Sequence, residues 1–96
     1  MKINLYGIEF EHRRPTANDY VFKDFAQFGA FAALCHARGI AKHVKRVFFC
    51  HNFNGYQIEL HADGDLLTAE REIRACAESA LFQFELGGFV GGYGLV

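Results

Sequence analysis

The first apolar run of the chain, Lys2 to Phe10, alternates in a way that predicts a single β-strand. One face would hold Asn4, Tyr6, Ile8 and Phe10, and the other Ile3, Leu5, Gly7 and Glu9. Because both faces carry apolar side chains, we expect this strand to be central in a sheet. The charged residues and the single Pro from His12 to Thr16 interrupt the pattern and indicate a loop.

The stretch from about Phe22 to Ala37 predicts a first helix, which Gly39 would end. Asn18 or Asp19 could cap an earlier start, and residues 20–22 are also compatible with a short extra strand. Residues 28–35 contain no polar side chain. A helix that covers a sheet normally shows water a polar face. The apolar centre therefore predicts contact with more than the sheet.

Asn54-Gly55 predicts a tight hairpin, because both central residues of a type I′ turn take positive φ. A two-residue loop there pairs four sets of core-face residues: Phe53 with Tyr56, His51 with Ile58, Phe49 with Leu60, and Val47 with Ala62. The opposite face would hold Arg46, Phe48, Cys50 and Asn52 beside Gln57, Glu59 and His61. The first face is apolar in both strands, so it is predicted to face the core.

A second helix is predicted from about Thr68 to Leu81, with Thr68 as N-cap and Glu70 and Glu72 in the first turn. Its apolar residues recur at helical spacing and form the predicted buried stripe: Ala69, Ile73, Cys76, Ala77, Ala80 and Leu81. Phe82 to Leu86 then alternates as a last strand would.

The resulting order, β-α-β-β-α-β, predicts an α+β two-layer sandwich of the ferredoxin-like kind. Such a fold has a four-stranded antiparallel sheet with both helices on one face. Residues 1–86 would form this single domain, and residues 87–96 a Gly- and aromatic-rich C-terminal segment. The alternative adds a strand at residues 20–22.

Composition adds a size limit and a charge pattern. The chain has 96 residues, 51% of them apolar, with 11 Phe and no Trp, and its net charge is −1. Ninety-six residues suit one domain with one core. No acidic residue lies between Asp24 and Glu59, where four cations fall: Arg38, Lys42, Lys45 and Arg46. An odd number of cysteines, three, together with no signal peptide and no long apolar run, predicts a reduced, cytoplasmic setting without a membrane.

Candidate reactive groups are few. Cys35-His36 and Cys50-His51 offer zinc-ligand types, but neighbours in a strand point to opposite faces and neighbours on a helix diverge by about 100°. Cys50 would lie opposite Glu59, whose carboxylate raises a thiol pKa and weakens it as a nucleophile. We therefore expect no metal, no cofactor and no catalytic residue.

The apolar first helix favours a non-enzymatic protein-binding module that is also a homodimer. We expect a small inhibitor or adaptor that occludes a larger complex, because small domains without catalytic groups are common among phage and mobile-element proteins that block host defence. The partner would be a protein, and a complex that handles nucleic acid is one expectation. The predicted partner or dimer interface comprises Phe25, Phe28, Phe31, Phe48, Phe89 and Tyr93.

The alternative is a nucleic-acid-binding domain that uses the basic segment and the outer sheet face. Its contacts with nucleic acid, or with an acidic partner, would come from Arg38, Lys42, Lys45 and Arg46.

Overall fold

The computed structural model describes residues 2–12, 18–50, 55–61 and 66–90. They form five strands, two α-helices and one short 3₁₀ helix. In chain order the elements are β1 (Lys2–Leu5), β2 (Ile8–Glu11), α1 (Asn18–Ala37), the 3₁₀ helix (Ala41–His43), β3 (Val44–Cys50), β4 (Gly55–His61), α2 (Leu66–Ser79) and β5 (Phe84–Val90).

The N-terminal run is a hairpin of two strands, so the single strand predicted over Lys2 to Phe10 is wrong. Tyr6 and Gly7 both have positive φ, 55° and 87°, as a type I′ turn requires. The side-chain oxygen of Asn4 accepts a hydrogen bond of 3.1 Å from the Gly7 N–H and closes the turn. The two-residue turn changes the phase of the alternation, so Leu5 and Ile8 pair on one face.

The sheet has the strand order β1-β2-β3-β4-β5, the same as the order in the chain. β1 and β3 run antiparallel to β2 and β4 respectively, whereas β2 with β3 and β4 with β5 are parallel pairs. The fold is therefore α+β, as predicted, but the sheet is mixed and five-stranded. In a ferredoxin-like fold each helix crosses over an intervening strand. Here each helix joins two neighbouring strands, so the ferredoxin-like arrangement is not matched.

One hydrophobic core joins both helices to one face of the sheet. The helices contribute two buried stripes at helical spacing: Phe28, Phe31, Ala32 and Cys35 from α1, and Ala69, Ile73, Cys76 and Ala77 from α2. The sheet contributes Ile8, Phe10, Val47, Phe49, Tyr56, Ile58 and Leu60. Since all of these belong to one cluster, both helices cover the same face of the sheet. We call the opposite side the open face.

The β3–β4 register differs from the predicted one, although the predicted faces are right. Phe49 pairs with Tyr56, and Cys50 pairs with Gly55. Gly55 thus lies in a strand, and a two-residue loop at Asn54-Gly55 is wrong. The pairing partner of each residue changes by an even number of positions, from Leu60 to Tyr56 in the case of Phe49, so Phe49 stays on the core face. The predicted partners Phe53, His51 and Ala62 lie outside the described residues.

Both helices begin earlier than predicted. α1 starts at Asn18 rather than near Phe22, which excludes a strand at residues 20–22. α2 starts at Leu66, so Thr68 lies within the helix and is not its N-cap. Glu70 and Glu72 accordingly fall beyond the first turn.

The helices end in the same way but with different residues. After α1, the Ile40 N–H donates to the Cys35 carbonyl and Gly39 has a φ of 72°, as predicted for a helix-ending glycine. After α2, the Phe82 N–H donates to the Ala77 carbonyl, and Leu81 takes the left-handed position with a φ of 55°. Leu81 was predicted to be buried, but 80% of it is exposed because it lies past the end of the helix.

The last strand also differs in its bounds. It was predicted over Phe82 to Leu86, and β5 instead runs from Phe84 through Gly87 and Gly88 to Val90, parallel to β4.

Candidate functional site

The open face is built from side chains that alternate with the core residues along each strand. The strand pairings place them in two rows across the sheet. One row contains Lys2, Glu11, Phe48, Gln57 and Glu85, and the next contains Asn4, Glu9, Arg46 and Glu59. Among the described residues, these rows therefore carry four carboxylates and two cations, which gives this part of the open face a negative field.

Phe48 lies at the centre of this face, because β3 is the middle strand of five. It is half-buried, and the guanidinium carbon of Arg46 lies 4.7 Å from the centre of its ring. The Arg46 Nε also donates a hydrogen bond to the Glu59 carboxylate on β4. Arg46 is thus held between an aromatic ring and a carboxylate, an arrangement that orders all three side chains.

The same register separates the groups that could have formed a nucleophilic site. Cys50 was predicted to face Glu59, but its partner is Gly55, because Glu59 is opposite Arg46. The carboxylate is therefore engaged by a guanidinium. Cys50 remains half-buried on the open face.

The Cys-His pairs do not converge in the part of the chain that the structure describes. Cys35 is buried between the helices, whereas His36 is exposed and stacks on Tyr6 with ring centres 4.3 Å apart. His51 lies outside the described residues. Among those residues, no group of three or more His, Cys, Asp or Glu side chains is placed to hold a metal ion.

Burial changes the chemistry of the thiol in α1. Burial raises the pKa of the Cys35 thiol far above its ordinary value, and Cys76 on α2, with which Cys35 shares a hydrogen bond, raises it further. Arg38 opposes these effects only in part. The Cys35 thiol is therefore a packed apolar group and not a reactive one.

The residues predicted for an interface are distributed differently from the expectation. Phe28 and Phe31 are completely buried: Phe28 stacks on Phe10 at 4.4 Å and Phe31 on Phe82 at 5.8 Å between ring centres. They complete this chain's own core and give no surface to a partner. The apolar stretch in α1 is explained largely by this contact with a sheet and a second helix.

Two of the remaining candidates reach the surface. Phe25 is 39% exposed on α1, and Phe48 lies on the open face. Phe89 is in β5, but its side chain lies outside the described part of the structure, as does the whole of Tyr93.

Arg46 is set apart from the other three candidate cations. Arg38 and Lys42 are exposed in the connection from α1 to β3. Lys45 is exposed at the start of β3, where the β3–β4 register shifts. Arg46 alone lies in the rows of the open face, where Glu59 pairs with it.

The sequence reasoning missed a buried polar cluster. His12 Nε2 lies 3.0 Å from Asp24 Oδ2, and the Tyr56 hydroxyl donates to the same oxygen at 2.9 Å. All three residues are buried, so the cluster joins the residue that follows β2 to α1 and β4 inside the core. We assign it a structural role, since a buried carboxylate requires such partners.

The positions of this cluster could have been found from spacing. His12 continues the inward alternation of Ile8 and Phe10, and Asp24 precedes Phe28 by one helical turn on the buried stripe of α1. A polar residue on a buried stripe implies a partner.

No helix in the described part of the chain is both long and apolar enough to span a membrane. No protein-family model, curated protein or solved structure matches this chain. Function is therefore inferred from the molecule's own surfaces.

Proposed function

We propose that this protein is a non-enzymatic binding module that docks a protein partner with a basic surface on the open face of its sheet. The observation that carries the proposal is the position of Phe48. It is a half-buried aromatic side chain at the middle of an otherwise charged and polar face. Protein interfaces concentrate their binding energy in such aromatic and arginine anchors, within a polar rim.

The ordered neighbours of Phe48 support this role. Arg46 is fixed by the Phe48 ring and by Glu59, and the side chains of Arg46 and Glu59 are only 34% and 15% exposed. Side chains that are already ordered lose little entropy when a partner binds. The centre of the open face is thus preorganised for contact.

The charges of the open face select the partner's chemistry. Four carboxylates, Glu9, Glu11, Glu59 and Glu85, outnumber the two cations in the rows. Such a field attracts a basic protein surface and repels nucleic-acid phosphates. It also disfavours a second copy of the same face, since like charges would meet. The homodimer expected from the sequence stays a prediction and is not assigned to this surface.

The dimensions suit a small inhibitor or adaptor. Five strands about 4.8 Å apart, two of four residues (about 13 Å) and three of seven residues (about 23 Å), give a face of roughly 450 Å². A standard interface buries about 800 Å² on each partner, so flanking loops must contribute as well. Occlusion of a larger complex by this face is the proposed mode of action, and a phage or mobile-element origin stays a prediction.

The test is a comparison of variants in one capture experiment. Tagged wild-type protein is exposed to lysate of its source cells beside Phe48→Ser and Leu67→Ser, a matched change at an exposed apolar residue of α2. We expect one basic protein to be retained by the wild type and Leu67→Ser, but not by Phe48→Ser. With the purified partner, Phe48→Ser should weaken binding at least tenfold, and Glu9→Lys with Glu85→Lys should weaken it further as charge complementarity is lost.

Two results would contradict the proposal. If Phe25→Ser abolishes capture while Phe48→Ser does not, the docking surface is α1. If the retained partner is acidic, the assignment by charge is wrong. A thermal melt of each variant establishes that it is folded. If Phe48→Ser does not fold, Glu9→Lys provides a second test of whether the open face binds the partner.

A further inference from the structure

A shallow groove lies where the β1–β2 turn meets the end of α1. Its walls are Tyr6, His36, Gly39, Ala41 and Lys42, and its volume is about 320 Å³. The groove is open to solvent, so it offers a ligand a surface to stack on and does not enclose it.

The Tyr6 ring forms the aromatic wall of this groove. It stacks on His36 with the two ring planes only 12° from parallel, yet 52% of Tyr6 is exposed. Tyr6 also holds a positive φ of 55°, which disfavours a bulky side chain. Asn or Gly would form the same turn with less strain, so the turn displays an aromatic ring at a cost in backbone energy.

The groove is cationic as well as aromatic. Lys42 lines it, Arg38 is exposed beside Gly39, and His36 adds an imidazole. The sequence has no acidic residue from position 25 to 58, so the connection from α1 to β3 places only basic charge here. The carbonyl end of α1 also points to this region, but the N–H groups of Gly39 and Ile40 already bind two of its oxygens.

We propose that this groove binds a nucleotide, with the base stacked on the Tyr6–His36 pair and a phosphate held by Lys42 and Arg38. A planar ring beside exposed cations is the arrangement by which proteins hold unpaired nucleotides. The nucleotide could come from a free mononucleotide or from a single-stranded nucleic acid. This site is distinct from the acidic open face and does not depend on the function proposed for that face.

The experiment measures binding of two probes by fluorescence anisotropy: a labelled single-stranded oligodeoxythymidylate and a labelled adenosine monophosphate. We expect saturable binding of at least one probe that weakens as salt is added. Tyr6→Asn should weaken it about tenfold, because the ring is lost while the turn is kept. Tyr6→Phe keeps the aromatic ring and should bind as tightly as the wild type. Lys42→Glu should weaken binding about as much as Tyr6→Asn does.

The control is Arg71→Glu, an equal charge change at an exposed residue of α2, which should leave affinity unchanged. Binding of the oligonucleotide alone identifies a nucleic-acid site, and binding of the monophosphate identifies a free nucleotide as the ligand. The proposal is overturned if neither probe binds, or if Tyr6→Asn and Lys42→Glu both bind as the wild type does. Loss of thermal stability in Tyr6→Asn without loss of affinity would show that the stack only fastens the turn to α1.

Discussion

The side-chain amide of Gln27 in α1 donates a hydrogen bond of 2.9 Å to the backbone carbonyl of Leu81, just past the end of α2. A polar bond at the surface therefore ties α1 to the segment that follows α2, in addition to the contact between the buried stripes of the two helices. Leu81 itself has a left-handed conformation, which a residue with a side chain rarely adopts.

Replacement of Leu81 by Gly should stabilise the protein by about 1 kcal/mol, because glycine adopts positive φ without strain. Little burial is lost, since the Leu81 side chain is exposed. Urea unfolding would show the gain as a higher midpoint with an unchanged slope. Leu81→Ala is the control and should bring no such gain, since alanine keeps the strain.

The end of α1 offers the reverse change. Gly39→Ala should lower the free energy of unfolding by about 1 kcal/mol, because alanine is strained at the φ of 72° that Gly39 adopts. A steric clash would add nothing to this cost, since a Cβ at Gly39 would meet no atom within 4 Å. Equal stability of this variant and the wild type in urea would show that the local backbone relaxes without cost.

The carboxylate of Asp24 should be the most sensitive polar group in the core. Asp24→Ala removes an acceptor from both His12 and Tyr56 and should cost about 3 kcal/mol or more. Tyr56→Phe removes only one donor and should cost about 1 kcal/mol. The free energies of unfolding in urea give both values. A smaller loss for Asp24→Ala than for Tyr56→Phe would contradict the shared-acceptor arrangement.

The three thiols should differ sharply in reactivity. Cys35 and Cys76 are fully buried, and burial raises the pKa of the Cys35 thiol, so neither should react in the native protein. Cys50 is half-buried and should be the single thiol titrated by a chromogenic disulfide reagent. Cys50→Ser should then show no native thiol, and all three should react in the unfolded wild type.

The same burial predicts a loss of stability in alkali. The pKa of Cys35 is raised above its unfolded value of 9.0, so above that pH the unfolded chain releases a proton that the folded chain retains. The stabilising contribution is complete below pH 9 and is lost as the pH rises through the folded value. Urea titrations between pH 8 and 10.5 should show a shallower decline for Cys35→Ala than for the wild type. Equal slopes would show that Cys35 titrates normally.

The sequence predicted which residues face the core in β3 and β4, because alternation with period 2 survives an even shift in register. It could not predict that Arg46 would lie opposite Glu59, since the register depends on the length of the connection and not on the faces. Phe48, Arg46 and Glu59 were therefore placed on the correct face, but the pairing of Arg46 with Glu59 was not predicted.

The first hairpin was missed because Tyr6-Gly7 is a weaker turn signal than Asn54-Gly55. Its pattern is nevertheless clear once a two-residue turn is allowed. Ile3, Leu5, Ile8 and Phe10 then share the core face, and Lys2, Asn4, Glu9 and Glu11 share the other. The sheet gains its fifth strand from this turn, and the groove gains its aromatic wall.

Strand order equal to chain order has a consequence for how the molecule folds. Within the part of the chain that the structure describes, every strand pairs only with the strand before or after it in the sequence. No pairing has to wait for a segment that is inserted later between two strands, as it would in a ferredoxin-like sheet. The hairpin pairs β1–β2 and β3–β4 join residues close in sequence, which favours fast folding, whereas the parallel partners Glu9 and Arg46 lie far apart in the chain and pair more slowly. The sheet can therefore grow from one edge to the other in the direction of synthesis, each new strand adding to a neighbour already in place.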